Sequence, residues 1–364
     1  MRTGRRVSFA GAGLPLDLSA YDVPNPPADG LLVRVQMAGV CGTDVHLLDE
    51  DAPVPQAGVA MGHEGVGSVE QLGELVTSDW AGQPLRAGDL VFWNPAGRCG
   101  RCHLCCTRPQ GITCANMPWP PSVSAPNAAA FQDYATLSGS VPVYRVPDDT
   151  PPDAIIAFGC AMPAALGGFS KLGSINAGDV VVIQGCGPVG LAATMLAALS
   201  PASQVIVIGG GRRRLGAARS LGATSVISIE TTGTDDRKRA VDDLTHGHGG
   251  DVVIEAAGQL PAFAEGLDLL AYNGRYLILG LFAGSGSVAV NPFRLNNRNL
   301  SLIGCYAAVP AAHLKTIQLI QRHHNGLKLS RLVSSRFPLG EVTSAIQAMR
   351  EGQEIKVAVM PAAG

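Results

Sequence analysis

The sequence predicts an α/β protein in which a largely β amino-terminal region precedes a doubly wound parallel sheet. From residue 179 onward, short apolar strands alternate with helical segments, which is the rhythm of βαβ units. Between Leu31 and Phe92, Val- and Leu-rich runs are separated by Gly, Pro and Asp, a pattern typical of short strands and turns. With 46% hydrophobic and 15% charged residues, the composition excludes a disordered or coiled-coil chain.

The chain of 364 residues is long enough for about two domains. We assign residues 158–290 to the doubly wound domain, because VVVIQG, QVIVIG, DVVIEAAG and RYLILGLF read as its strands. Residues 1–157 form the other domain. Helical periodicity at 313–322 and 339–350 and a final strand, IKVAVM, predict that residues 291–364 return to complete that first domain.

Charge and hydropathy argue against nucleic acid and membrane as partners. The 27 basic and 29 acidic residues give a net charge of −2, so nothing predicts an electrostatic grip on nucleic acid or anionic lipid. No apolar run reaches membrane-spanning length, and no secretory leader is evident. We expect a cytoplasmic protein that acts on a small molecule, with nine reduced cysteines whose spacing points to metal or catalysis.

A glycine-rich turn follows the strand VVVIQ. Gly185, Gly187 and Gly190 form GxGxxG, with Pro188 and Val189 inside the motif, and the turn opens an apolar helix. In this context the first glycine permits a tight turn, the second a close approach to pyrophosphate, and the third close packing of helix and strand. The motif predicts a dinucleotide at the helix N-terminus, and the alternative is a glycine-rich turn without a ligand.

The end of the next strand indicates which dinucleotide binds. An acidic residue about 20 positions after the turn usually bonds the ribose 2′-hydroxyl of NAD, but this position is Gly209. The residues that follow it are Gly210, Gly211, Arg212, Arg213 and Arg214. Because arginine grips phosphate bidentately, this run favours NADP(H). NAD(H), with the arginines as a solvated basic turn, is the alternative.

Four cysteines in the turn-rich segment CGRCHLCCTRPQGITC predict a metal site. Cys99, Cys102, Cys105 and Cys114 have the spacing CxxCxxCx8C, and four thiolates suit a structural Zn²⁺. Cys106 could replace Cys105 as the third ligand, because CxxCx3Cx7C fits the same chemistry. The spacing leaves this choice open.

A second group of candidate ligands is dispersed along the chain. Cys41 lies in GVCGTDVH, His63 and Glu64 lie in MGHEGVG, and Cys160 lies in FGCAMP. Taken singly, a cysteine or histidine in apolar surroundings is more often a core residue than a ligand. Residue types alone therefore do not assign a site here.

These segments are similar to signatures of one family. Gly62-His63-Glu64-x2-Gly67-x5-Gly73-x2-Val76 resembles the zinc-containing alcohol dehydrogenase signature of the medium-chain dehydrogenase/reductase (MDR) family, and GVCGTDVH resembles its first ligand segment. The cysteine cluster and GxGxxG follow in the family's order. The resemblance implies a GroES-like, largely β catalytic domain with a structural zinc lobe at about 95–116, together with a Rossmann nucleotide-binding domain at 158–290.

The resemblance also implies a catalytic zinc. Cys41, His63 and Cys160 would be its protein ligands, water or substrate oxygen would take the open position, and Glu64 would be the nearby carboxylate that sometimes ligates the ion. The cysteine lobe would hold a second, structural zinc.

Residues beside the first ligand segment would complete the chemistry. By resemblance, the Thr43 hydroxyl touches the substrate oxygen and His46 is the outer member of a proton relay. Asp44 would orient His63, although Thr43 and Asp44 also suit a helix cap. Trp93, Asn94 and residues 117–127 are candidates for the substrate wall.

The combined prediction is a zinc-dependent alcohol dehydrogenase or carbonyl reductase that favours NADP(H) and holds two zinc ions per chain. An alternative is an NAD-dependent dehydrogenase of a secondary or cyclic alcohol. A different class, a non-catalytic zinc-stabilised nucleotide-binding protein, is disfavoured by the intact set of candidate ligands. Because the family's members are commonly dimers or tetramers, we expect a homo-oligomer.

Overall fold

The computed structural model of the chain describes residues 2–11, 13–49, 57–94, 97, 99–107, 114–116, 126–283, 286–306 and 310–361. The chain forms two compact units. Unit 1 comprises Met1–Cys160 and Val309–Gly364, and unit 2 comprises Ala161–Ala308. Among the described residues, no helix combines the length and the apolar character needed to cross a bilayer.

Unit 1 is built mainly from strands. In chain order they are β1 (Thr3–Phe9), β2 (Asp17–Asp22), β3 (Leu31–Gly39), β4 (Val59–Ala60), β5 (Gly65–Leu72), β6 (Leu90–Trp93), β7 (Tyr134–Leu137), β8 (Val143–Arg145), β15 (Val333–Pro338) and β16 (Lys356–Met360). Two sheets result. One has the order β2-β1-β4, and the other has the order β15-β16-β3-β5-β6-β8 with β7 paired to β3.

The central strand of the larger sheet is β3. Seven of its nine residues are buried, as expected for a strand covered on both faces. It pairs antiparallel with β5, β7 and β16. Trp93 at the end of β6 is fully buried, and its Nε1–H donates to the Ala128 carbonyl at 2.8 Å. Trp93 is therefore packed into the core of unit 1, and its part in a substrate wall stays a prediction.

The helices of unit 1 are short, apart from one near the carboxyl end. They are α1 (Gly42–Leu48), α2 (His103–Thr107), α3 (Pro152–Ile156), α10 (Pro310–His323) and α11 (Val342–Arg350). The predicted helical segments 313–322 and 339–350 correspond to α10 and α11, although Leu339–Glu341 is a 3₁₀ turn. The predicted final strand is β16, and it joins the sheet of unit 1.

Unit 2 alternates strand and helix. Its strands are β9 (Val180–Gln184), β10 (Gln204–Gly209), β11 (Ser225–Ser228), β12 (Gly250–Glu255), β13 (Leu270–Ile278) and β14 (Ser301–Gly304). Its helices are α4 (Ala161–Leu172), α5 (Pro188–Ala198), α6 (Arg212–Ser220), α7 (Thr234–Leu244), α8 (Leu260–Leu269) and α9 (Pro292–Asn297). The strands are all parallel, in the order β11-β10-β9-β12-β13-β14, which is the doubly wound dinucleotide-binding order.

The boundaries of the two units differ from the predicted 157/158 and 290/291. Unit 2 begins at Ala161 and continues to Ala308. The reason for the later end is β14, which extends the parallel sheet by pairing Arg275 with Ser301 and Ile278 with Gly304. Its four residues are mostly exposed, so they lack the buried apolar pattern by which the other strands were recognised.

Candidate functional site

Three adjacent strands bring the dispersed candidate ligands of unit 1 together. Gly39 near the end of β3 pairs with Ala358 of β16, and Ala38 pairs with Gly65 at the start of β5. Because both pairings are antiparallel, the end of β3 lies beside the beginnings of its two neighbours. Cys41 follows β3, Glu64 precedes β5, and Lys356 begins β16. Residues far apart in sequence therefore meet at one edge of the sheet.

The donor atoms of Cys41, His63, Glu64 and Cys160 all lie within 4.8 Å of one another. The two Sγ atoms are 3.4 Å apart. With Zn–S bonds of about 2.3 Å, two thiolates of a tetrahedral site stand about 3.8 Å apart, so the spacing is close to that of two ligands of one ion. Two sulfurs and an imidazole are also a donor set that suits zinc.

The pKa values of the two thiols are shifted in opposite directions. The hydrogen bond with Cys160 lowers the pKa of Cys41 well below its ordinary value, against the effect of burial and with help from the charge of His63. The same contact and burial raise the pKa of Cys160. Cys41 is therefore the readier of the two to become the thiolate that a metal requires.

Asp44 serves the cluster in two ways. Its Oδ2 accepts the Cys41 backbone N–H at 2.8 Å and so caps α1, while its Oδ1 lies 3.5 Å from His63 Nδ1. A carboxylate on one ring nitrogen fixes the tautomer and leaves the other nitrogen for an ion. Burial lowers the pKa of His63, but the charges of Asp44 and Cys41 outweigh it and raise the value. The cap is formed in this geometry, whereas the orienting role predicted for Asp44 is represented by the 3.5 Å contact, in which Oδ1 makes no hydrogen bond.

Both carboxylate oxygens of Glu64 are engaged by the protein. Its Oε1 accepts the Cys160 backbone N–H at 3.0 Å, and its Oε2 accepts from Lys356 Nζ at 2.5 Å. A Cβ at Gly39 would lie 1.9 Å from Oε2, and one at Gly159 would lie 2.2 Å from it. The two glycines thus make room for the carboxylate. Each oxygen accepts one hydrogen bond and keeps a further lone pair, so Glu64 stays a candidate alternate ligand.

Lys356 is the functional residue that sequence reasoning missed. Its side chain is 1% exposed, and its Nζ donates to the Val40 carbonyl at 3.0 Å as well as to Glu64. Burial lowers the pKa of Lys356, but Glu64 and then the two cysteines raise it above the ordinary value. A single lysine in the otherwise apolar final strand was the available signal, since a buried lysine needs a partner.

The predicted proton relay draws on two residues of α1. Thr43 is half-buried, and its Oγ1 lies 3.7 Å from Cys41 Sγ. His46 lies three residues later on α1, half-buried and outside the cluster of donor atoms. The helix places both side chains on one face, because residues three apart are neighbours on an α-helix.

The cysteine lobe forms a second group of donors. The sulfurs of Cys99, Cys102, Cys105 and Cys114 lie within 4.8 Å of one another. The Cys99–Cys105 and Cys102–Cys114 Sγ distances are both 4.0 Å, near the ~3.8 Å expected for ligands of one zinc. Backbone N–H groups, first that of Arg101, lower the pKa of Cys99 to about 6.

The structure distinguishes between the two candidates for the third ligand of that lobe. Cys105 is buried within the cluster, and its backbone N–H donates to Cys102 Sγ at 3.4 Å. Cys106 is exposed, and its Sγ donates to the Gly100 carbonyl at 3.6 Å. The donor set fits Zn²⁺ with Cys105 and leaves Cys106 outside it.

In unit 2, the glycine-rich turn has the geometry that its motif predicted. Gly185 has φ +98°, and a Cβ there would lie 2.9 Å from the Ala256 backbone. Gly187 caps α5 with Pro188 at its first position, and a Cβ on Gly190 would lie 1.9 Å from the Gly185 carbonyl oxygen. The turn therefore presents backbone close to any ligand at the N-terminus of α5.

The predicted phosphate-binding run lies at the start of α6. Gly209 ends β10, and Gly211 caps α6 with φ +83°. Arg212 and Arg213 are exposed, while Arg214 is half-buried. The arginines therefore stand at the helix end where the macrodipole disfavours positive charge. Of the predicted wall, residues 117–125 lie outside the described residues, and Asn94 is buried.

Comparison with known proteins agrees with this description. Residues 27–148 match the alcohol dehydrogenase GroES-like domain, and residues 188–322 match the zinc-binding dehydrogenase domain. The chain is 39% identical to 5-exo-hydroxycamphor dehydrogenase from Pseudomonas putida over 346 residues, which cover 93% of this chain and 94% of that protein.

Two solved structures are similar over nearly the whole chain. An alcohol dehydrogenase from Thermotoga maritima superposes with a TM-score of 0.87 at 29% identity, covering 99% of this chain and 100% of that one. A protein described as a zinc-binding dehydrogenase from Sinorhizobium meliloti, solved with NADP bound, gives 0.84 at 26% identity with the same coverage.

The fold and the comparisons define a dehydrogenase with a GroES-like and a Rossmann domain. The chain belongs to the zinc-containing alcohol dehydrogenases of the MDR family. The fold class and the family predicted from the sequence are both confirmed.

The buried ion pair yields a first prediction. Lys356→Met should lower the free energy of unfolding by about 3–5 kcal/mol, because it leaves Glu64 charged and buried without its cation. Denaturant unfolding measures this loss. Lys238→Met is the matched control: Lys238 lies 2.6 Å from Asp242, but its side chain is 45% exposed, so the loss should be at most about 1 kcal/mol. Equal losses in the two variants would contradict the assignment.

The cysteine lobe yields a second prediction. Cys105→Ser should remove about one zinc per chain and destabilise the lobe, because three thiolates are left to hold the ion. The adjacent Cys106→Ser should keep the wild-type zinc content. Metal analysis of the purified proteins by mass spectrometry checks both, and zinc loss in the Cys106 variant alone would reverse the choice of ligand.

Proposed function

We propose that this chain is a zinc-dependent alcohol dehydrogenase or carbonyl reductase that transfers a hydride between a nicotinamide cofactor and an alcohol, ketone or aldehyde, with NADP(H) favoured. The observation that carries the proposal is the convergence of Cys41, His63 and Cys160, with the two sulfurs 3.4 Å apart. We propose a catalytic zinc at this cluster and a structural zinc at Cys99, Cys102, Cys105 and Cys114.

A zinc ion at this cluster would polarise the substrate oxygen and ease deprotonation of an alcohol. The chain's own residues prepare that site. Asp44 faces His63 Nδ1 at 3.5 Å and would orient the ring, while Glu64 accepts the Cys160 backbone N–H and positions the segment that carries the second sulfur. Thr43, beside Cys41, would exchange a proton with the substrate oxygen, and His46, one turn along α1, would pass that proton on.

The charge balance of the site supports this chemistry. Two thiolates offset the charge of a divalent cation, the Glu64–Lys356 pair is neutral as a unit, and the Asp44 carboxylate adds one buried negative charge beside His63. A centre whose charges largely cancel costs less to bury than unpaired charges, and a low local dielectric strengthens polarisation of the substrate oxygen. A thiolate pair without the cation would instead repel itself at 3.4 Å.

For the cofactor, we propose that the turn from Gly185 to Gly190, including Gly187, Pro188 and Val189, binds the pyrophosphate of NADP(H) at the N-terminus of α5. Gly209 and Gly210 bring no side chain to this segment, and Arg212 and Arg213, which follow it, would bind the 2′-phosphate. The absence of an acidic residue at position 209 and the NADP-bound relative from Sinorhizobium meliloti support this choice.

A second candidate is NAD(H)-dependent oxidation of a secondary or cyclic alcohol. Glu230 favours it, because its carboxylate accepts the Gly211 N–H at 2.9 Å and places negative charge beside the arginines. The relative named 5-exo-hydroxycamphor dehydrogenase favours a ring-borne secondary alcohol as substrate with either cofactor.

The test of the activity is a panel of primary, secondary and bicyclic alcohols with the matching aldehydes and ketones, assayed by nicotinamide absorbance with both cofactors. Cys160→Ala should lower kcat/KM by about 10³-fold or more, since polarisation by the metal supplies several kcal/mol. The control, Cys305→Ala, removes a half-buried thiol of unit 2 and should change turnover by less than about twofold. Wild-type turnover in the Cys160 variant would refute the proposed centre.

The cofactor assignment has its own test. Replacing Arg212 and Arg213 together by Gln should raise the Kd of NADP(H) about tenfold or more, because each charged hydrogen bond contributes about 1.5–3 kcal/mol, with little effect on NAD(H). Cofactor fluorescence titration gives both constants. Arg219→Gln, at the other end of α6, should leave them unchanged. An unaltered NADP(H) affinity in the double variant would point to NAD(H).

A further inference from the structure

Cys186 lies inside the glycine-rich turn and packs against the end of β10. It is 3% exposed. A Cβ built on Gly209 would lie 2.3 Å from Cys186 Sγ, 3.0 Å from its Cβ and 3.1 Å from its backbone N. The first distance is shorter than any ordinary van der Waals contact. Gly209 is not in the left-handed region, so its lack of a side chain reflects this steric contact and not backbone strain.

The thiol is held in place. Its Sγ donates to the Gly210 carbonyl at 3.1 Å, and burial raises the pKa of Cys186, so the group remains an S–H donor. On the other side of the same segment, the Gly211 N–H donates to Glu230 Oε1 at 2.9 Å. The tripeptide from Gly209 to Gly211 is therefore fixed from both sides, and Cys186 cannot turn away without losing its hydrogen bond.

We propose that Cys186 is a specificity-determining residue for the cofactor. Its side chain fills the space that an acidic side chain at position 209 would need, and in this fold that acid is the group that bonds the ribose 2′-hydroxyl. Cys186 thereby reserves the site for a dinucleotide phosphorylated at the 2′ position. This inference rests on the NADP(H) preference proposed above and assigns that preference to the pair Cys186–Gly209 as well as to the arginines.

The steric contact between positions 186 and 209 makes a prediction that the mere lack of an acidic residue at position 209 does not make. Exchanging Gly209 alone forces the Cys186 side chain to move, because a Cβ at position 209 would lie 2.3 Å from Sγ, and the thiol would then lose its hydrogen bond to the Gly210 carbonyl. With Cys186 reduced to glycine, the nearest remaining atom is the backbone N at 3.1 Å, which a small shift relieves. The two positions should therefore be coupled both in stability and in cofactor choice.

The stability arm uses the full-length protein and three variants: Gly209→Ala, Cys186→Gly and the two together. Gly209→Ala should lower the midpoint of thermal unfolding by several degrees, and in the Cys186→Gly background the same change should cost less than half as much. Gly216→Ala on α6 is the control, since no atom lies within 4 Å of its built Cβ, and its effect should be equal in both backgrounds. Equal losses for Gly209→Ala in both backgrounds would overturn the proposal.

The specificity arm compares Gly209→Asp with Cys186→Gly/Gly209→Asp by fluorescence titration of NADPH and NADH. The single variant should lose more than tenfold affinity for both cofactors. The double variant should recover NADH binding at least tenfold over the single variant and shift the preference toward NADH. A single variant that switches preference without losing affinity would overturn the proposal.

The two proposals fail in different ways. If the wild-type protein binds NADPH and NADH equally, the cofactor assignment under Proposed function is wrong, and the role of Cys186 in specificity falls with it. If the wild-type protein prefers NADPH but the variants show no coupling, only the role of Cys186 is refuted.

Discussion

The ion pair between Glu64 and Lys356 is the constraint on which the candidate metal site depends. Each side chain is 1% exposed, and burying two charges is costly unless they are paired and their remaining hydrogen bonds are satisfied. Both conditions are met. The free oxygen of Glu64 accepts the Cys160 backbone N–H, and Lys356 donates to the carbonyl of Val40, directly before Cys41. Glu64 thus fixes the segment that carries Cys160, and Lys356 fixes the segment that carries Cys41, although the two cysteines are 119 residues apart in the chain.

How much of this site the sequence could predict depended on distance along the chain. The glycine-rich turn and the four-cysteine lobe are local, so spacing alone predicted a dinucleotide turn and a zinc lobe. Cys41 and His63 meet because β3 and β5 are adjacent, and Cys160 joins them because α3, which precedes it, packs against both strands. Neither arrangement is written in any one segment. Their assignment came from resemblance to a family. Lys356 belongs to the same nonlocal arrangement but to no motif, and it was missed.

Other features that the sequence did not decide also have local structural causes. Spacing could not decide whether Cys105 or Cys106 is the third ligand of the lobe. Both lie on α2, and because a helix turns by about 100° per residue, the two side chains point in different directions. One thiol enters the cluster and the next is exposed. Trp93 is a candidate for the substrate wall because an aromatic before a cysteine lobe suits either role. Its burial places it in the core of unit 1, and its contact with a substrate stays a prediction. The strand β14 was not predicted because its exposed residues carry no apolar pattern. It is a strand because it pairs with β13.

The N-termini of α5 and α6 in unit 2 would bind different parts of a dinucleotide by different means. At α5 no acidic residue occupies the first turn, and the glycines bring backbone N–H groups close to a ligand, so the helix dipole itself favours an anion. At α6 the Gly211 N–H is already taken by Glu230, which offsets the positive end of that helix. A phosphate there would therefore depend on arginine side chains and not on the backbone. The preference for a phosphorylated ribose would then be sensitive to side-chain packing around Gly209, in a way that pyrophosphate binding at α5 is not.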